Sequence, residues 1–176
     1  MYAKLLSLFT FAAIAIAQTD QGPTFPNGYF YINSVANDTL RIDVKDSSTA
    51  ADAQLVLTQA RSARTGEDKS QIWSYNNQTG KLTNFNTNNA SIVFTAVTDP
   101  ATGDIIEGHP LIQAVEVKGD DNLNQTWIYE SDQRIVSLKD ESMCVVKQDD
   151  IIVMSNCTAN AKIPEQKWSF STGGRQ

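Results

Sequence analysis

The sequence has 1 histidine and 2 cysteines among 176 residues. A zinc site built from His and Cys needs about three or four such ligands, so a zinc module is excluded. Positive charge is scarce as well: 14 basic residues face 20 acidic ones, for a formal charge of −6. A protein whose main partner is a nucleic-acid backbone needs the opposite balance, because its affinity comes from counterions displaced by Lys and Arg. There is no Gly-rich phosphate loop, no Gly-x-Ser-x-Gly nucleophile turn and no calcium-loop pattern. After residue 17 no apolar run reaches the ~20 residues that a membrane-spanning helix needs. What is present is an ordinary globular composition, 41% hydrophobic and 19% charged. The length suits one domain with its own core.

The one long apolar run, Leu5–Ala17, follows Lys4 and ends in the small-x-small pair Ala15 and Ala17. It reads as a secretory signal peptide over residues 1–17, with cleavage after Ala17 and a secreted, extracellular product. The polar tail after Ser171 carries no lipid-anchor signal, and membrane insertion is not expected. Residues 18–27 contain Gly22, Pro23 and Pro26 and read as a flexible lead-in arm. In an oxidising compartment, Cys144 and Cys157 read as a disulfide worth roughly 3 kcal/mol in the chain-entropy model; two free thiols are the alternative. Five Asn-x-Ser/Thr sequons, at Asn37, Asn77, Asn89, Asn124 and Asn156, are candidate glycan acceptors.

Beyond the arm the chain is a succession of short strand patterns rich in Val, Ile, Thr and aromatics, bounded by Asn, Asp and Gly. Strands are expected at 29–35, 39–44, 54–58, 92–97, 111–117, 135–138, 143–146 and 151–155. Strict alternation is clearest in Leu40-x-Ile42-x-Val44. No long helical stripe is present, so the chain is all-β. All three tryptophans close a Gln-x-Trp triplet: Gln71-Ile72-Trp73, Gln125-Thr126-Trp127 and Gln166-Lys167-Trp168. Such repetition marks an internal repeat. The tryptophans themselves are structural, since a buried indole anchors a small β core. Each glutamine, two residues earlier on the same strand face, is placed to satisfy backbone groups or its own indole neighbour.

Three Gln-x-Trp triplets at these spacings resemble the ricin B-type (R-type) lectin family. The resemblance covers residues 28–172 and implies a β-trefoil of three pseudo-equivalent lobes, at about 28–82, 83–132 and 133–172, with four strands each. It also implies pairing of Cys144 with Cys157 in the third lobe.

A galactose-type site in that family uses a carboxylate at the end of the second strand, which accepts charge-assisted bonds from adjacent sugar hydroxyls. It also uses an aromatic ring at the end of the third strand and an Asn before the Gln of the triplet. In the first lobe these positions fall on Asp43, Thr58 and Ser70, beside Gln71. In the second they fall on Phe94 or Thr95, Ala114 and Asn124, beside Gln125. In the third they fall on Val146, Ser155 and Glu165. No lobe keeps the whole set. Asp43 and Gln71, then Asn124 and Gln125, are the candidate carbohydrate-binding residues; Asp43 can equally be a solvated strand-end acid.

The adjacent acids Asp120-Asp121, Asp140-Glu141 and Asp149-Asp150 read as solvated turns, not as a glycosidase pair facing across a cleft. His109, before Pro110, reads as a loop residue; no nucleophile motif accompanies it. The expectation is a secreted, non-catalytic lectin-like protein with degraded galactose-type sites, needing no cofactor or metal. The alternative is a secreted trefoil that has lost its sugar sites and binds a protein target, as a protease inhibitor or interaction effector. Its contact surface would be the acidic loop 99–109.

Overall fold

The computed structural model describes residues 24–62, 64–87, 91–119, 122–158 and 163–172. The signal segment 1–17, most of the arm, Asn89 and the pair Asp120-Asp121 lie outside the described residues. Twelve strands follow in chain order. The first lobe supplies β1 (Tyr29–Ser34), β2 (Leu40–Val44), β3 (Ala53–Gln59) and β4 (Ile72–Asn76). The second supplies β5 (Lys81–Asn84), β6 (Ile92–Thr95), β7 (Ile112–Val115) and β8 (Trp127–Tyr129). The third supplies β9 (Ile135–Ser137), β10 (Asp140–Gln148), β11 (Ile151–Asn156) and β12 (Trp168–Thr172). Because β5 starts at Lys81, the first division between lobes falls after Gly80, two residues earlier than the sequence suggested.

The outer strands of each lobe form a barrel and the inner two a hairpin that caps it. β1 pairs with β4 and β12, β4 with β5, and β8 with β9, all antiparallel. Trp127 N–H donates to Gly80 O and Trp168 N–H to Gln133 O, both at 2.9 Å, joining the remaining barrel strands. The hairpins are β2–β3, β6–β7 and β10–β11. They lean on one another through Ile151 opposite Val56, Ala53 opposite Gln113 and a bridge from Pro110 to Val153.

Local sequence explains these elements. Alternation puts Ile42 and Val44 at 0% exposure. Asp149, at φ 52°, makes the tight turn between β10 and β11, so the acid pair Asp149-Asp150 is turn chemistry. Asp140 and Glu141 are exposed at the start of β10. Gly80, at φ +68°, lies where a Cβ would come within 2.5 Å of the Thr126 side chain, so the junction of the first two lobes needs glycine there.

Trp73, Trp127 and Trp168 are fully buried in one core with Phe30, Ile42, Leu55, Phe94, Leu111 and Val145. Phe94 packs edge-on against both Trp73 and Trp127. Two residues beyond each tryptophan stands another ring, Tyr75, Tyr129 or Phe170, forming a second layer on the side away from the hairpins. Phe25 sits among these three, with ring centroids 4.3, 5.7 and 5.4 Å away. It belongs to the segment read as a flexible arm, yet it is only 5% exposed and closes the barrel's open end. The Cys144–Cys157 disulfide is formed, with Cα atoms 5.1 Å apart.

Candidate functional site

Each Gln-x-Trp triplet places the same groups in its lobe. The glutamine ends a short 3₁₀ turn, Lys69–Gln71, Leu123–Gln125 or Pro164–Gln166, that leads into the lobe's fourth strand. It is thus not the strand residue the sequence suggested. The turn brings its amide back against the chain leaving the third strand. Gln71 donates to Gln59 O at 2.9 Å and accepts from Arg61 N–H at 3.0 Å. Gln125 bridges Val115 O and Val117 N–H at 2.9 and 3.0 Å. Gln166 bridges Asn156 O and Thr158 N–H at 3.0 and 3.2 Å. The indoles do not bond the glutamines. They donate to second-strand carbonyls: Trp73 to Ile42, Trp127 to Phe94 and Trp168 to Val145.

These bonds fix the equivalences between lobes. The residue after the indole acceptor is Asp43, Thr95 or Val146, so Thr95, not Phe94, holds the second lobe's carboxylate position. The residue before the bridged carbonyl is Thr58, Ala114 or Ser155. None offers an aromatic wall.

The structure brings Asp43 and Gln71 together but turns both inward. Asp43 is 2% exposed. Its Oδ2 accepts from Thr58 Oγ1 at 2.5 Å and from Gln71 Nε2 at 3.3 Å, and it pairs with the Arg61 guanidinium. Arg61 is held there by Ser70 Oγ at 2.8 Å and Ser47 Oγ at 3.0 Å. The residues at the stacking and amide positions, Thr58 and Ser70, therefore belong to the same internal network. Asp43 Oδ1 and Arg61 Nε are buried without a hydrogen-bond partner. Arg61 was not singled out by the sequence; its signal is an arginine two residues past the third strand, the first of two in that loop with Arg64. Nearby, Arg41 lies 3.7 Å above the Tyr31 ring, whose hydroxyl donates to the fully buried Asp68 at 2.5 Å.

In the second lobe Asn124 Nδ2 donates to Ala96 O at 2.8 Å, and Ala96 N–H returns a bond to Asn124 O at 2.9 Å. Asn124 and Gln125 thus tie the lobe's own backbone. In the third lobe Ser155 Oγ, with Asn156 N–H and Nδ2, donates to the Glu107 carboxylate. Those bonds, the Asn156 N–H foremost, hold the Glu107 carboxyl below its ordinary value. His109 is exposed, with Nδ1 3.2 Å from Pro110 O.

Two depressions lie away from these positions. The larger, about 610 Å³, is lined by Lys81, Glu116, Lys118, Asn122 and Thr126 and has no aromatic ring. Burial holds the Lys81 ammonium below its ordinary pKa, with Glu116 pulling the other way. The second, about 460 Å³, is lined by Phe25, Asn27, Tyr75, Asn77, Ile128 and Tyr129. Burial raises the pKa of both tyrosines.

No family model matches the sequence, and no curated protein does. Solved structures match over nearly the whole fold. The mdaA-1 domain is 21% identical, with a TM-score of 0.71 over 90% of this chain and 98% of that one. The β-trefoil lectin of the Vibrio vulnificus hemolysin/cytolysin, solved with N-acetyl-D-lactosamine bound, is 12% identical, with a TM-score of 0.61 over 84% and 96%. The chain is a β-trefoil. The C-half of an earthworm R-type lectin, solved with GalNAc, superposes on this trefoil with a TM-score of 0.58 at 17% identity, over 85% and 99%. It comes from the family that the Gln-x-Trp triplets resemble.

Proposed function

We propose that this trefoil is a secreted, non-catalytic glycan-binding protein of the lectin type. The observation that carries the reading is the threefold Gln-x-Trp lobe, built with the same bridged amide and indole bond each time. Sugar-bound lectins among its structural neighbours support it. Binding per site is weak, since a shallow site offers few polar anchors. The test is a glycan array with the chain collected from the medium of a secreting host. Dose-dependent binding to a defined glycan is expected; silence across the array at high protein concentration overturns the reading.

A second reading, a secreted trefoil that binds a protein, is favoured by one observation. Asp43, the one acid at a lobe's carboxylate position, is already engaged by Arg61 and Thr58. The 99–109 loop, tethered through Glu107, is its candidate contact surface. An array-negative chain that retains a defined partner in a pull-down, and loses it on Glu107→Ala, would establish this reading.

A further inference from the structure

We propose that an uncharged pyranose unit binds in the aromatic-floored cavity at the open end of the barrel, not at the lobe positions. The inference rests on the sugar-binding reading above and places its site. The cavity, about 460 Å³, falls within the ~300–1,000 Å³ usual for small-ligand sites. Its walls are the rings of Tyr75 and Tyr129, with Phe25 wedged against them. Both rings are fixed from the neighbouring lobe: Tyr75 Oη donates to Trp127 O at 3.1 Å and Tyr129 Oη to Trp168 O at 3.0 Å. Rings already held in place lose little freedom when a sugar's apolar face packs on them.

The polar part is complementary. Asn27 and Asn77 line the cavity with exposed side chains that have no partner among the described residues. Each amide offers a donor and an acceptor, the pair that neighbouring sugar hydroxyls require. No lining residue is charged, which selects a neutral ligand. The larger depression has the opposite character, with Lys81, Lys118 and Glu116 and no ring. At the lobe positions the polar groups are engaged internally, Asp43 by Arg61 in the first and Asn124 by Ala96 in the second. The depression of about 530 Å³ beside Thr58 has no aromatic ring and is lined by the charged Lys45 and Asp150.

The test uses the full secreted chain carrying Thr79→Ala. That change removes the glycan acceptor at Asn77 while leaving its amide, so no attached sugar covers the mouth. Methyl β-D-galactopyranoside, methyl β-D-glucopyranoside and N-acetyl-D-glucosamine are titrated and followed by saturation-transfer NMR. At least one probe is expected to bind. Asn27→Ala and Asn77→Ala should each weaken it by about tenfold, the loss expected for one hydrogen bond. Ile128→Arg, at the exposed rim, should abolish it, whereas Ala114→Arg at the second-lobe position should change nothing. A probe that binds these cavity variants as well as the parent, or is lost on Ala114→Arg, overturns the location and leaves the sugar reading standing. So does an array-positive chain that takes none of the probes. An array-negative chain overturns the reading beneath it.

Discussion

The Arg61 guanidinium rests on the Asp43 carboxylate, and Thr58 donates to the same oxygen from the facing strand of the hairpin. The pair is lopsided, with side chains 30% and 3% exposed. Removing Asp43 leaves a half-covered cation with serine partners only; removing Arg61 leaves a buried anion. Breaking a buried pair by deleting one partner costs about 3–5 kcal/mol, and partial solvent access to Arg61 reduces that. Asp43→Ala and Arg61→Ala should each lower stability by about 2–3 kcal/mol in urea unfolding. The double variant should lose less than the sum, with a coupling of roughly 1–3 kcal/mol. Additive losses would mean that the two groups do not act as a pair.

The bridging glutamines make a graded prediction. Gln125→Ala and Gln166→Ala each strand one carbonyl and one N–H beside the core, a loss of about 1–3 kcal/mol. Each of those two glutamines also bonds one threonine hydroxyl, Gln125 that of Thr95 and Gln166 that of Thr158. Gln71→Ala should cost more, because its amide donates both to Thr58 Oγ1 at 2.8 Å and to the buried Asp43 carboxylate. Denaturation midpoints should rank Gln71 as the most damaging of the three. Equal midpoints would show that the extra bonds contribute nothing.

Much of this architecture was legible in the sequence, for reasons that can be named. Strands such as Leu40–Val44 and Ile151–Asn156 announce themselves through β-branched residues with turns at both ends. The threefold design shows because each indole and each bridging amide must recur in every lobe. The glutamine's exact seat was not legible: a Gln two residues before a Trp fits a strand as well as a 3₁₀ turn, and only the chain it bridges decides. Arg61 was hidden because its partner Asp43 is 18 residues away, across a turn and the whole of β3, and Arg61 itself lies in a loop with no periodic signal. Phe25 was hidden by its setting between Pro23 and Pro26, which mark a loose segment by composition although a single ring suffices to dock it.

The tether of the 99–109 loop should depend on pH. The Asn156 N–H, then the Ser155 hydroxyl, hold the Glu107 carboxyl below its ordinary value of 4.5. A carboxyl depressed on folding contributes fully above its unfolded pKa and loses that contribution as pH falls through its lower folded value. The Asn156 amide resonance should therefore stay in place on acidification through pH 4.5 and move only below it. Glu107→Ala should erase that transition. A transition at the ordinary carboxylate value would show that the contact is absent in solution.

Phe25 closes the barrel from a segment whose composition marks it as loose, and that makes it a sharp test of the open end. Its ring lies against Tyr75, Tyr129, Phe170 and Phe30. Phe→Ala in a core typically costs about 3–5 kcal/mol through lost transfer energy and the cavity left behind. Phe25→Ala should fall near the lower end, about 3 kcal/mol, because the segment before the β1 strand can settle inward. Phe25→Leu, which keeps most of the apolar volume, should cost about 1 kcal/mol. The same series bears on the proposed sugar cavity. Tyr75 and Tyr129 keep their hydroxyl bonds to the neighbouring lobes without Phe25, but the wedge between them is gone. Phe25→Leu should therefore weaken pyranoside binding more than its small stability loss implies. Unchanged binding alongside the expected destabilisation would assign Phe25 to the fold alone.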